Sequence, residues 1–194
     1  MSDFLQTLYD RRSAKYVQAP GPSSDELALI LRAAVCAPDH GAVHPWRFKI
    51  VRGADIPALI DLGIQAGLQA GAPLPEPKIQ NARKWLSRVP LMIAVACAPD
   101  PRGRIREQES LLSVGAAVMN MLNAAQSLGY HGFWSTGMGT YLDGVGEALG
   151  FDALDTRFMG YVSIGTPIDP LPEKHRPDYR EFVSEWHAAS SVTS

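Results

Sequence analysis

A long stretch without charged side chains limits what this chain of 194 residues can fold into. Between Ser110 and Leu142 the sequence has no Asp, Glu, Lys or Arg, and the longest helical pattern, over residues 104–128, runs into this stretch. Because that helix is apolar on almost every face, every face has to be covered. A monomer of this size offers few covers, so we expect a long buried helix at an interface between two subunits.

A membrane span is the alternative for this stretch. Asn120, Asn123 and Gln126 interrupt its first part, and four glycines, the first of them Gly129, break its second part. A span needs roughly 20 predominantly apolar residues, so we expect a buried helix and no membrane partner. The N-terminal residues form neither a basic nor an apolar signal segment, so we predict no signal peptide and a cytoplasmic protein.

Helical and extended patterns alternate along the chain, which favours an α+β (mixed α/β) class with one sheet of about four or five strands. Ser23 and Glu26 fit a capping box at the start of a helix that stops before Pro38. We expect a single domain over residues 1–194, with 168–194 as a C-terminal arm.

Further helices are predicted over 3–11, 54–71, 78–87 and 141–149 and through Phe182, Val183 and Trp186. Strands are predicted over 46–52, 91–96, 132–135 and 157–164, and an extended linker over 16–22.

Charge and cysteine content exclude several classes of protein. A net charge of -2 and a pI of about 6.2 leave no basic surplus for nucleic acid and no polybasic segment for a membrane. Cys36 and Cys97 stand among small apolar residues, so we expect two buried free thiols rather than a disulfide or a metal pair.

The segment Arg11-Arg12-Ser13-Ala14-Lys15 is the first candidate for chemistry. The sequence contains neither of the common glycine-rich phosphate cradles, so any phosphate must be held by side chains. Arginine offers paired donors that match phosphate oxygens, and a serine hydroxyl adds another donor. Alternatively, these cations only complement the dipole at the end of a short helix.

The loop between Pro38 and Pro45 is the second candidate. His40 and His44 are four residues apart and Asp39 is adjacent, a pattern that could belong to a metal site, a plain surface loop or a loop that contacts a cofactor. The two prolines and an internal glycine disfavour the helix that would put both imidazoles on one face, and no third ligand is evident. We therefore predict no metal site.

Two weaker signals complete the set. The end of the strand at Trp134 runs into the turn Ser135-Thr136-Gly137, which can offer backbone N–H groups to a ligand. The tail carries Lys174 and Arg176 in an irregular stretch. Alone, the turn could be an ordinary strand-to-helix connection and the tail pair a solvated charge cluster.

Together these stretches resemble the FMN-dependent nitroreductase family, and in particular its small branch of NAD(P)H nitroreductases. The matching segments are RRSAKYV, APDHGAVHPWRF, GYHGFWSTG and SIGTP with KHRPDYREFV, in the order and at the spacing of that family. The resemblance covers essentially the whole chain. It implies a nitroreductase-like fold, with a central, mostly antiparallel sheet flanked by helices and a long buried helix at the interface of a homodimer.

The resemblance also implies which residues hold the FMN phosphate and ring. Lys15 matches a lysine near N1 and the C2 oxygen of the flavin, where a cation stabilises the anionic reduced ring. The residues matched to the phosphate and ribityl chain are Arg11, Arg12, Ser13, Lys174 and Arg176. The residues matched to the segment beside the ring are Trp134, Ser135, Thr136 and Gly137.

The partner subunit supplies the remaining contacts in this family. Pro38, Asp39 and His40 match the loop that crosses to the other subunit, and His44 stands where it could contact the ring edge. Many members have Ser-x-x-Asn-x-Gln-Pro-Trp here, so Asp39-His40 and His44 are departures from the common pattern.

The implied activity is a two-step reduction. NADH or NADPH reduces FMN, and a nitroaromatic, quinone or similar acceptor then takes the reducing equivalents, so no catalytic side chain is expected. One alternative is an FMN-binding sensor or flavin-handling protein without steady turnover. Another is a metal-dependent hydrolase built on His40 and His44.

Overall fold

The computed structural model describes residues 3–142, 144–152, 154–173 and 175–188. Its α-helices are Asp3–Asp10 (α1), Ser24–Ala34 (α2), Ile56–Gln69 (α3), Glu76–Leu86 (α4), Glu107–Ser127 (α5) and Val145–Ala148 (α6). Its strands are Val17–Gln18 (β1), Trp46–Arg52 (β2), Leu91–Cys97 (β3), His131–Ser135 (β4) and Arg157–Pro167 (β5). Short 3₁₀ turns cover His40–Ala42, Gly53–Asp55 and Tyr179–Phe182.

The five strands form one sheet, in which β5 pairs with β1, β3 and β4. The order is β1-β5-β3-β2, and β4 pairs with β5 beside β1. Each strand pair is antiparallel, with Ile93 opposite Val162 between β3 and β5 and Trp134 opposite Val162 between β4 and β5. The predicted α+β class with a mostly antiparallel sheet of four or five strands is confirmed.

Strand β3 explains why helices cover both faces of the sheet. Its seven residues are all buried, which is typical of a strand packed on two sides. Leu91, Ile93 and Val95 pack in the core under α2 and α5. Met92 and Ala94 pack in the opposite core under α3. The result is a three-layer arrangement of helices, sheet and helices.

Helix α5 is as long and as buried as the sequence predicts, except along one stripe. Val114, Ala117 and Met121 are buried against the sheet, whereas Leu112 is 74% exposed and Met119 is 46% exposed. In the part of the chain that the structure describes, no helix is long and apolar enough to cross a membrane. The stripe is therefore an apolar surface that no described segment of this chain covers.

The structure differs from the sequence-based expectations in several details. The predicted tail helix is absent from the described residues, because the 3₁₀ turn ends at Phe182 and the segment 183–188 has no regular structure. Phe182 is 72% exposed and Trp186 is 86% exposed, so the described part of the chain provides no apolar contact that would stabilise a helix there. Cys36 is exposed just beyond the end of α2, and only Cys97 is buried. The predicted linker 16–22 contains the short strand β1.

Candidate functional site

The N-terminal candidate segment is fixed alongside β4. Ser13 forms a parallel bridge to Gly132, and the N–H of Ala14 donates to the Gly132 carbonyl at 3.1 Å. A Cβ at Gly132 would lie 2.8 Å from Cδ2 of Leu122 on α5 and 3.0 Å from the backbone oxygen of Ser163, so a larger residue would require its neighbours to shift. The sheet therefore connects the Arg-Arg-Ser segment to the strand that carries Trp134.

Three arginines gather at this segment. Arg11 Nη1 donates to Ser13 Oγ at 3.3 Å, and Arg176 Nη2 donates to the Arg11 carbonyl at 2.7 Å. Arg12 Nη1 donates to the carbonyls of Tyr9 and Arg11 at 3.1 and 3.2 Å. The guanidinium of Arg12 therefore caps the end of α1, while Arg11 and Arg176 lie side by side.

The arginine cluster has the electrostatics of an anion site. Burial, followed by the charges of Arg176 and Arg12, lowers the pKa of the Arg11 guanidinium. No carboxylate among the described residues forms an ion pair with any of these three arginines. A cavity of about 200 Å³ opens on the Arg12 side of the cluster, lined by Arg12, Ser13, Leu171, Pro172 and Glu173.

The sequence alone did not single out Gln126, although it positions Arg12. Its Oε1 accepts from the N–H of Arg12 at 3.2 Å, and its Nε2 donates to the Thr7 carbonyl at 3.3 Å. Gln126 thus joins α5 to the end of α1. In the sequence, Gln126 is a polar residue on an otherwise apolar helix, and such a residue can indicate a hydrogen bond to another segment.

Lys15 borders a second cavity. Its Nζ lies 5.3 Å from the ring centroid of Trp85 and 5.4 Å from that of Tyr16. This cleft of about 230 Å³ is lined by Tyr16, Asn81, Lys84, Trp85, Arg88 and Ile168. Sequence reasoning missed the α4 residues among these, because α4 showed only a weak helical pattern. The cleft adds amide and cationic donors beside Lys15.

The end of β4 packs closely against β5 at Gly160. The φ of Gly160 is +99°, and a Cβ there would lie 2.3 Å from the carbonyl oxygen of Ser135. Thr140 Oγ1 donates to the Gly137 carbonyl at 2.7 Å. No hydrogen bond from the N–H of Gly137 to another described residue is present. Among the described residues, this turn therefore has one backbone donor without an acceptor, and Thr136 is exposed beside it.

Trp134 stands between this turn and α5. Its Nε1 donates to the Met159 carbonyl at 3.0 Å, which fixes the indole while leaving it 37% exposed. The indole borders an open apolar groove of about 580 Å³ on the exposed stripe of α5. The groove is lined by Gln108, Leu111, Leu112, Gly115, Ala116, Trp134 and Met159.

The loop 38–44 is ordered by contacts of its own. The Asp39 carboxylate accepts from the N–H groups of Val43 and His44 at 3.2 and 2.8 Å, so it caps the loop. His40 Nδ1 contacts the Glu109 carboxylate at the start of α5. The ring of His44 packs edge-on against Trp46.

One chain does not bring all candidate residues together. At the helical rise of about 1.5 Å per residue, Gln126 and Glu109 lie roughly 25 Å apart along α5. The arginine cluster lies at the Gln126 end and the loop 38–44 lies at the Glu109 end. Lys174 lies outside the described residues. Within one chain, the loop 38–44 and the arginine cluster therefore lie at opposite ends of α5.

A metal centre finds no support in this geometry. His40 is paired with Glu109, and the Asp39 carboxylate is engaged by its own loop. Within the ranges that the structure describes, no group of three or more His, Cys, Asp or Glu residues could hold a metal ion.

Comparisons with known proteins agree with each other. A family model described as the nitroreductase family matches residues 8–166. The Escherichia coli protein named Putative NAD(P)H nitroreductase YdjA is 34% identical over 183 residues, which cover 94% of this chain and 98% of that protein. The Haemophilus influenzae protein named Putative NAD(P)H nitroreductase is 32% identical over 184 residues, which cover 94% of this chain and 98% of that protein.

Solved structures show the same fold. The nitroreductase-like family protein from Bacillus cereus superposes with a TM-score of 0.81 at 21% identity, and covers 97% of this chain and 98% of its own. A nitroreductase with bound FMN from Bacteroides fragilis superposes with a TM-score of 0.72 at 19% identity, over 96% of this chain and 100% of its own.

Proposed function

The chain belongs to the nitroreductase family, and from that premise we propose that it is an FMN-dependent oxidoreductase with NADH or NADPH as electron donor. The Escherichia coli and Haemophilus influenzae relatives both carry the name Putative NAD(P)H nitroreductase. The acceptors that we propose are nitroaromatics, quinones or similar compounds, reduced in a two-step cycle.

The arginine cluster is the observation that carries this proposal. Arg11 and Arg176 stand side by side with no carboxylate in ion-pair contact among the described residues. Adjacent guanidiniums repel each other unless an anion lies between them, and a phosphate accepts hydrogen bonds from both. The hydroxyl of Ser13 adds a donor that a phosphate or a ribityl oxygen can use. This set of donors fits the phosphate end of FMN.

The ring end would lie further along β4. From Gly132 to Ser135 the strand advances roughly 10 Å, which leads from the arginines to the turn with the free N–H of Gly137. Lys15, which lies against the Tyr16 and Trp85 rings of the neighbouring cleft, would supply the cation for the pyrimidine side of the ring. FMN supplies the hydride chemistry when bound, and these residues position it and balance its charge.

We further propose that the working unit is a homodimer with two FMN sites. The stripe of Leu112 and Met119 on α5 is an exposed apolar surface that a second copy would cover. Such pairing would also carry Pro38, Asp39, His40 and His44 to the arginine cluster of the other subunit. This resolves the separation of roughly 25 Å between the two halves of the candidate site.

The test is the absorbance spectrum of the purified protein during titration with FMN, followed by anaerobic addition of NADPH and then NADH. We expect a flavin spectrum that bleaches on reduction and returns when a nitroaromatic or quinone is added. Colourless protein that takes up no FMN contradicts the proposal. Bound FMN with no oxidation of NAD(P)H by any acceptor would instead support a flavin-binding protein without turnover.

A further inference from the structure

The contact between His40 and Glu109 has no role in the proposed FMN site so far. It is the one ion pair among the described residues that ties the loop 38–44 to α5. Both side chains stay accessible, with His40 66% and Glu109 40% exposed. An exposed ion pair of this kind adds little to stability, but it acts directly on the imidazole of His40.

The pair determines which nitrogen of His40 carries a proton. A carboxylate can only accept hydrogen bonds, so Nδ1 facing Glu109 must carry the hydrogen. In the neutral ring this leaves Nε2 as a bare acceptor, because the hydrogen bond at one nitrogen fixes the state of the other. A neutral histidine in water prefers the opposite arrangement, with hydrogen on Nε2.

The backbone beneath His40 is rigid enough for this orientation to matter. Gly41 has a φ of +73°, and a Cβ there would lie 3.0 Å from Cδ1 of Ile105, so the loop rests directly on the segment before α5. Arg47 Nη1 closes the far end of the loop by donating to the His44 carbonyl at 2.7 Å. The Asp39 carboxylate caps the backbone within the loop. Glu109 in turn contacts the side chain of His40.

We infer that Glu109 is a positioning residue that presents His40 Nε2 as a hydrogen-bond acceptor to FMN bound by the second subunit. This inference rests on the proposed function, since the loop meets a cofactor only if the chain dimerises around FMN. An acceptor at Nε2 requires an N–H or O–H donor on the ligand. A flavin offers the imide N–H of its ring and the hydroxyls of its ribityl chain.

The first measurement is the tautomer of His40 in the full-length protein, read from long-range ¹H–¹⁵N NMR correlations in spectra that show the imidazole in its neutral form. Wild-type protein should show hydrogen on Nδ1. In Glu109→Gln the amide can donate as well as accept, so the signals should move toward the Nε2–H form. Wild-type protein that already shows mostly Nε2–H would overturn the inference.

The second measurement is FMN affinity by fluorescence titration of the same proteins. We expect Glu109→Gln to weaken binding about threefold to tenfold, the effect of one hydrogen bond. Glu107→Gln is the matched control, because Glu107 lies on the same turn of α5 and pairs with Arg157 at 2.8 Å instead of with the loop. Its FMN affinity should stay at the wild-type value.

A double variant separates positioning from a general loss of stability. If Glu109 acts through His40, adding Glu109→Gln to His40→Ala should cost no further affinity. Additive losses, or equal losses in Glu107→Gln, contradict the inference while leaving FMN binding intact. Wild-type protein that binds no FMN at all overturns the proposed function first, and the inference with it.

Discussion

Arg176 Nη2 donates a hydrogen bond of 2.7 Å to the backbone carbonyl of Arg11, although 165 residues separate the two in sequence. A second, longer bond of 3.4 Å from the same nitrogen reaches the Tyr9 carbonyl. The C-terminal arm is thereby tied to the end of α1. Because the bond uses a carbonyl, the guanidinium of Arg11 stays available for a ligand.

Arg11→Ala should weaken FMN binding without unfolding the protein. Losing one charge-assisted contact costs about 1.5–3 kcal/mol, or roughly one to two decades in dissociation constant. Fluorescence titration with FMN measures this effect. Arg52→Ala is the control, because Arg52 is exposed at the end of β2, on the opposite edge of the sheet. Unchanged affinity in Arg11→Ala would remove Arg11 from the phosphate site.

Local sequence rules predicted those parts of the fold that depend on local chemistry. Ser23 and Glu26 form both hydrogen bonds of the capping box, and the buried run at β3 is a strand with both faces covered. Each of these patterns is decided within a few residues of sequence. The arginine pair was suggested only by the family resemblance, because no local rule links residues 165 positions apart.

The parts that sequence reasoning missed depend on tertiary contacts. In the sequence, Gln126 and Glu109 look like ordinary helix residues. Their contacts with Arg12 and His40 form only in the folded chain. The tail helix failed for the opposite reason, since its apolar residues meet no surface of their own chain. Cys36 has apolar neighbours in sequence, yet it lies beyond the end of α2 and is exposed.

Gly160→Ala should disturb the turn at the end of β4. A Cβ there would stand 2.3 Å from the Ser135 carbonyl oxygen, and the φ of +99° is strained for any L side chain. Strain of this kind costs about 1–3 kcal/mol, so we expect a lower Tm and weaker FMN binding. Gly146→Ala is the control, because its Cβ would make an ordinary contact of 3.4 Å with Phe158. Equal Tm values for the two variants would contradict the close approach.

His131 should make stability fall at mildly acidic pH. Burial lowers the pKa of His131 below its usual value near 6.5, and its Nδ1 is buried without a hydrogen-bond partner among the described residues. The unfolded chain then binds more protons than the folded one, so this contribution is complete above about pH 6.5 and is lost as the pH falls through the folded pKa.

The measurement for His131 is Tm as a function of pH between about 5 and 8. His131→Gln cannot titrate, so its Tm should fall less over this interval than that of the wild type. His175→Gln, which alters an exposed residue of the arm, should keep the wild-type pH dependence. Parallel curves for His131→Gln and the wild type would show that His131 does not control this loss.

Leu112→Glu should weaken dimerisation. Leu112 is 74% exposed on the α5 stripe, and burying a leucine contributes about 1.5–3 kcal/mol, counted once per subunit in a symmetric dimer. Sedimentation velocity over a range of concentrations would show the shift toward monomer, and FMN affinity should fall with it. Leu68→Glu is the matched control, since Leu68 is 54% exposed on α3 in the opposite layer. If both variants sediment like the wild type, the stripe is not the interface.

Mixed dimers can decide whether the loop 38–44 serves its own subunit or its partner. One chain would carry Arg11→Ala, and the other would carry Asp39→Ala with His40→Ala, each with a different affinity tag so that only mixed dimers are isolated. If the loop acts across the interface, one of the two sites combines an intact Arg11 with an intact loop. Half of the sites should then bind FMN with wild-type affinity.

The opposite arrangement gives a different result, because each site within a single chain would then contain one defect. Every site would bind weakly, as in the two parent homodimers, which serve as controls. The separation of roughly 25 Å along α5 between the loop and the arginine cluster of one chain favours the first outcome. A titration with no sites of wild-type affinity would mean that loop and arginines do not form one site across the interface, and the dimeric site proposed above would have to be abandoned.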